Sequence, residues 1–165
     1  MRGFTLVELV IVLVLMSILA ALALPRFMDV ADDAELANAE TIVGAFQTSV
    51  GNARSIWQLH AHGQAAENLQ VFGSDQNGQI DFNANGWPSQ QWFGGLEANP
   101  STNNVADCIS VAGALLDESY LLSTAPNADI TPTYLGGGRC RYTVQAEAAL
   151  SFEYDSNTGD VTANF

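Results

Sequence analysis

Few side chains in this sequence have the type and spacing to do chemistry, and the most informative is a carboxylate in an apolar setting. Glu8 lies in the run Phe4 to Leu24, 21 residues of which only Thr5, Glu8 and Ser17 are polar. A carboxylate one turn inside a membrane-spanning helix costs roughly 3 kcal/mol and usually finds a partner. In a helical bundle of identical subunits the natural partner is the free N-terminal amine of a neighbour. That amine exists at the right depth only if the chain is cut between Gly3 and Phe4. The other reading has Glu8 snorkel to the cytoplasmic interface. The second candidate is the cysteine pair, Cys108 and Cys140, which encloses 31 residues. Without His or Cys neighbours these are poor zinc ligands. In an exported chain a single disulfide is the simplest reading, worth roughly 3–4 kcal/mol on the chain-entropy model. In a cytosolic chain they would be two buried thiols.

The remaining candidates have plainer explanations. His60-Ala61-His62 lacks a third ligand and reads as a helix end. Asp75-Gln76-Asn77-Gly78 and Asp155-Ser156-Asn157-Thr158-Gly159-Asp160 offer oxygens, but neither completes a calcium loop with its terminal glutamate, and turn chemistry explains both. Gly136-Gly137-Gly138 is not followed by the Lys-Ser or Lys-Thr of a phosphate loop. No Ser/His/Asp or Cys/His set suggests nucleophilic catalysis. The expectation is therefore no enzyme, no catalytic residues, no metal and no cofactor.

The elements that would position these residues follow from hydropathy and charge. At about 1.5 Å per residue, a helix over Phe4 to Leu24 is roughly 31 Å long, enough to cross a bilayer core. A cleaved secretory signal would need a basic start, a shorter core and a small-residue exit site, whereas Pro25-Arg26-Phe27 follows here. Arg2 ahead of the span favours a cytoplasmic N-terminus with the bulk exported. The helical rhythm continues past Pro25, which should kink it. Phe46, Val50, Ala53 and Trp57 fall on one face, with Asp29, Asp32, Asp33, Glu35 and Glu40 as solvated positions between. The chain has 165 residues and a formal charge of -13, with 18 acidic residues, five arginines and no lysine. Such a surface repels phosphate backbones and argues against nucleic-acid binding.

Beyond residue 60 the composition shifts to Gly, Asn, Ser, Gln and Pro. Short strands are expected at 69–72 and 79–82, a helix within 105–122, loop over Asn127 to Gly138, and strands at 139–146 and 149–154. A hairpin turn at Asp155 to Gly159 and a last strand from Asp160 to Phe165 would close the sheet. Trp87, Trp92 and Phe93 read as loop aromatics folded onto the long helix. The fold class is α+β: a long N-terminal helix, an apolar half then an amphipathic half, packed on a small antiparallel sheet. The segments are 1–3, 4–24, 25–59 and a head at 60–165.

Gly3-Phe4-Thr5-Leu6-Val7-Glu8, followed by an apolar run ending Ala23-Leu24-Pro25-Arg26-Phe27, resembles the N-terminus of type IV pilins and pseudopilins. The resemblance implies a prepilin leader, Met1-Arg2-Gly3, removed by a membrane prepilin peptidase. Phe4 would become the N-methylated first residue, Glu8 would guide docking into the filament, and Pro25 would match the proline near which the helix partly melts. The leader is shorter than in many such proteins, and Ser17 stands where many carry a helix-weakening glycine. The head looks similar to the mannose-sensitive haemagglutinin (MSHA) class, with a lean toward minor pilins of the B type. That likeness lies in Gln79-Ile80-Asp81-Phe82-Asn83, Gly86-Trp87-Pro88, Gln90-Gln91-Trp92, the cysteine pair, Phe152-Glu153-Tyr154-Asp155 and Thr158-Gly159.

The implied partners are other pilin subunits, the peptidase and an inner-membrane assembly platform. The implied location is a single pass of the inner membrane with the head in the periplasm, then an extracellular fimbrium of a Gram-negative-type bacterium, used for adhesion, attachment or motility. Two rivals share parts of the pattern. A pseudopilin of a type II secretion system has every N-terminal feature. A membrane-anchored sugar-binding module would use Trp87 and Trp92 as stacking surfaces.

Overall fold

The computed structural model describes residues 4–95, 97–116, 118–145 and 150–165, with backbone alone at residues 24, 25 and 27–29. Helix α1 (Leu6–His60) is 55 residues long, and its helical backbone continues through Pro25. Ala39, Ile42, Phe46, Val50, Ala53 and Trp57 recur at the three- and four-residue steps of a 3.6-residue period, and all six are buried. The apolar face read from Phe46 to Trp57 thus exists and extends back to Ala39. The chain divides into two compact units inside this helix, one ending at Ala37 and the other running Asn38–Phe165; the second, which takes in part of α1 as well as the 60–165 segment, is called the head below.

Within the second unit, strands β1 (Ala66–Gln70), β2 (Gln79–Phe82) and β3 (Pro88–Gln90) form an antiparallel sheet in that order. Helix α2 (Val105–Leu115) follows. Strands β4 (Ile130–Gly136), β5 (Arg139–Val144), β6 (Ser151–Asp155) and β7 (Val161–Asn164) form a second antiparallel sheet, a meander. The fold is α+β as expected, but with two sheets of three and four strands instead of one small sheet.

The core sits where α1 meets the meander. Successive side chains of a strand point to opposite faces. Cys140, Tyr142 and Val144 of β5 and Phe152 and Tyr154 of β6 are accordingly buried, while Arg139 and Arg141 are exposed. Phe46 fills the centre, its ring 5.5, 5.2 and 5.4 Å from those of Tyr142, Phe152 and Tyr154. Both buried phenols have acceptors, since an unpaired hydroxyl there would cost about 1–3 kcal/mol. Tyr142 Oη donates to the carbonyl of Cys108 at 2.9 Å, and Tyr154 Oη to that of Pro88 at 2.7 Å. Burial pushes both phenols well above their ordinary pKa.

Helix α2 starts at Asn104, whose Oδ1 accepts from the N–H groups of Ala106 (2.7 Å) and Asp107 (3.1 Å). Asp107 reaches back to the N–H of Asn103 at 2.8 Å, a reciprocal arrangement that satisfies donors the helix leaves open. One turn further, Cys108 is bonded to Cys140 of β5 with Cα atoms 5.7 Å apart, so the disulfide ties α2 to the meander.

Several elements depart from the sequence reading. Asn127 to Gly138 contains strand β4 where a loop was expected. Its Pro132 argues against a central strand, but β4 is an edge. Ile130 donates its N–H to Leu121 and accepts from Ser123 (both 3.3 Å), so its polar backbone faces away from β5. Two residues on, Pro132 faces the same way, and its missing N–H leaves the ladder to β5 intact. Strand β1 begins at Ala66, not residue 69. Asn68 adopts φ +50° and the register shifts between Ala66 and Leu69, which breaks the alternation a strand assignment relies on. Strands β5 and β6 lie where expected, although residues 146–149 are outside the described residues. Trp92 and Phe93 are not folded onto α1; both are largely exposed.

Candidate functional site

Among the described residues, one helical stretch, Leu6–Ala23, is long and apolar enough to cross a membrane, and none of it is buried. Thr5 and Glu8 set its first turn. The N–H and Oγ1 of Thr5 donate to Glu8 Oε2 at 2.9 and 2.8 Å, and the N–H of Glu8 donates to Thr5 Oγ1 at 3.2 Å. This is a capping box: the N-cap hydroxyl serves the third helical N–H while the acidic side chain serves the N-cap N–H. The carboxylate also lies at the positive end of the helix dipole. Glu8 Oε1 makes no hydrogen bond among the described residues, so the carboxylate keeps acceptor capacity toward another chain. Phe4 lies outside the helix, 82% exposed.

Thr5 was not singled out in the sequence, although Thr-x-x-Glu before an apolar run is a recognisable helix start. Gly3 lies outside the described residues, and so does the side chain of Pro25. Cys108 and Cys140 are joined, as the exported-chain reading expected.

The other candidates resolve into structure. His60 ends α1, and His62 follows in a turn with φ +51°. Among the described residues, no three His, Cys, Asp or Glu side chains converge as metal ligands. The oxygens of the last hairpin serve its own turn: Asp155 Oδ1 accepts from the N–H and Nδ2 of Asn157, each at 2.8 Å, and Thr158 Oγ1 donates to Asp160 Oδ2 at 2.7 Å. Trp87 is engaged internally. The Arg54 guanidinium lies 4.3 Å from the Trp57 ring and 4.6 Å from the Trp87 ring, and its Nη1 donates to the carbonyl of Asn85. Gly159 lies so close that a Cβ there would sit 2.3 Å from the indole. These neighbours occupy ring surface that a stacked sugar would need.

An exposed apolar helix opened by Thr5 and Glu8, and a disulfide-tied α+β unit with antiparallel sheets, are together the architecture of the type IV pilin fold. The family described as the prokaryotic N-terminal methylation motif matches residues 1–24. Over 77 residues, 47% of this chain and 62% of the relative, the chain is 42% identical to the type IV narrow pilus major component PilA5 of Thermus thermophilus. Over 72 residues, 42% of this chain and 47% of the relative, it is 36% identical to a fimbrial protein of Moraxella nonliquefaciens. The chain thus spans less than two thirds of either relative. No solved structure matches it significantly. The motif and these relatives make the chain similar to type IV pilins over the stretches they cover.

Proposed function

We propose that this chain is a structural subunit of a type IV pilus, held in a membrane by its N-terminal helix before joining a filament. The observation that carries the reading is Glu8: a carboxylate at the start of an exposed apolar helix, with one oxygen engaged by Thr5 and the other without a hydrogen bond among the described residues. Cleavage after Gly3 by a prepilin peptidase would give Phe4 a free amine, the site of N-methylation. That amine of one subunit and the open oxygen of Glu8 in another would fix the axial register, because a buried charge left unpaired is strongly disfavoured. Pro25 removes one helical hydrogen bond, which eases local melting as the helix moves from lipid into the filament core. An assembly platform in the inner membrane would drive that transfer, and the head would pass through a periplasm to the cell surface.

In finer detail the reading is of an MSHA-like minor pilin serving adhesion, attachment or motility, supported by the head motifs around Gly86-Trp87-Pro88 and Thr158-Gly159. The test is Glu8→Val in the full-length chain. The variant should reach mature size and stay in the membrane while its share of sheared surface filaments falls at least about tenfold, the equivalent of one lost ion pair of about 1.4 kcal/mol. Normal incorporation would remove Glu8 from the assembly mechanism.

A further inference from the structure

In the filament proposed above, the heads of neighbouring copies would meet as well as their helices, and two features of this head match each other. The first is Trp92. Its N–H donates to Asp81 Oδ2 at 3.1 Å, and the neighbouring Gln91 N–H donates to Ser110 Oγ at 3.0 Å. The Gln91 side-chain amide donates to the carbonyls of Asn77 (2.7 Å) and Gln79 (2.8 Å). Asp81 itself is 2% exposed and also accepts from the N–H of Asn68 at 2.7 Å. The root of this loop is therefore pinned to β1, β2 and α2. Its tip nevertheless presents Trp92 at 55% and Phe93 at 43% exposure. The indole lies against its own loop at Gly94, where a Cβ would sit 2.5 Å from the ring. A large aromatic held this way and left in water is a docking feature more than a core residue.

Carboxylates gather at the root of the Trp92 loop: Asp81 accepts from the backbone N–H of Trp92, and Glu97 accepts from Gln90, two residues before Trp92. The carboxyl of Glu67 is pushed up by burial and by repulsion from Asp81 and Glu97. Glu97 accepts from Gln90 Nε2 at 3.2 Å, and no cation pairs with either Glu67 or Glu97 among the described residues. The second feature is a cation without an anion. In the head, Arg54 is held between Trp57 and Trp87, and Arg141 pairs with Glu153 at 2.7 Å. Arg139 is exposed, and no ion pair forms on it among the described residues. Its cross-strand neighbour Asp155 is turned into the Asn157 turn.

These features sit at opposite ends of the β2–β3 hairpin. The turn of that hairpin bonds through Asn83 and Asn85 to the carbonyls of Ser156 and Asn157, and Asn157 in turn bonds to Gly137, two residues from Arg139. Trp92 follows the other end of β3. We infer that Arg139 of one copy docks on the Trp92 ring of the next, flanked by Glu67 and Glu97, as a head-to-tail contact between copies of this chain. Arg54 between Trp57 and Trp87 shows the same pairing within one head. Because the two patches differ, the contact is heterologous and continues from copy to copy without closing. The inference rests on the filament reading above.

The test uses the full-length chain in cells that assemble it. Arg139→Cys combined with Glu97→Cys should give a disulfide-linked ladder in sheared filaments on non-reducing gels, and neither single variant should. Arg139→Glu should lower filament yield about tenfold, Arg139→Gln less, and Arg139→Glu with Glu97→Arg should restore it. Filaments of unchanged yield from Arg139→Glu, with no ladder from the cysteine pair, would overturn the contact. So would unchanged assembly of Trp92→Ala coupled to loss of glycan binding, which would assign the ring to a sugar. Absence of the wild-type chain from any filament would defeat the filament reading itself, and the contact with it.

Discussion

Between Leu6 and Ala23 no residue is buried, whereas in Asn38–Phe165 the rings of Phe46, Tyr142, Phe152 and Tyr154 have no contact with solvent. The first region carries apolar surface it cannot cover by itself, so its energetics belong to lipid or to neighbouring helices. The second covers its own surface, satisfies its buried phenols and adds a covalent tie. One chain therefore holds a segment completed by its environment and a head complete in itself. Changes to the core of the head should register as stability; changes to the span should register as assembly.

The sharpest way to break that comparison is at Phe46, which lies on the same helix as the span but inside the head. Phe46→Ala removes the ring that three others pack on. It should destabilise the head by about 3–5 kcal/mol in thermal or denaturant unfolding while leaving membrane insertion unchanged. Next is the disulfide. Cys108→Ser with Cys140→Ser should cost roughly 3–4 kcal/mol, read as a fall in the denaturant midpoint, again without effect on insertion. The smallest expected effect is at the start of α2: Asn104→Ala loses the side-chain acceptor for two N–H groups and should cost about 1 kcal/mol by the same measurement. Should any of these block insertion, or should Glu8→Val unfold the head, the division between the two regions fails.

The sequence was most readable where one physical requirement dominates. The span needs only length and apolarity, and Phe46 to Trp57 only a helical period; both read directly. The cysteines paired as an exported chain would have them. Strand β4 was missed because Pro132 and the three glycines of its hairpin look like loop chemistry, and only the neighbouring strand reveals that Pro132 is on an outer edge. The start of β1 was hidden by Asn68, whose left-handed backbone is held by the buried Asp81, a contact 13 residues away. Trp92 and Phe93 were expected to fold onto the long helix, but their placement depended on a loop path fixed by Gln91 and Asp81. At the candidate site Glu8 was evident from its apolar neighbours. The reciprocal role of Thr5 was also written in the sequence, as the spacing of a helix start.

Pro132 carries a further consequence. On the filament reading proposed above, the chain would sit beside many copies of itself, where an open sheet edge invites strand-to-strand zippering into cross-β aggregates. On the outer row of β4 the backbone of Ile130 is already engaged by Leu121 and Ser123, and the next outward position has no donor to offer. A stray strand approaching there meets an interrupted template. The same residue that obscured the strand in the sequence would let such heads crowd together without merging their sheets.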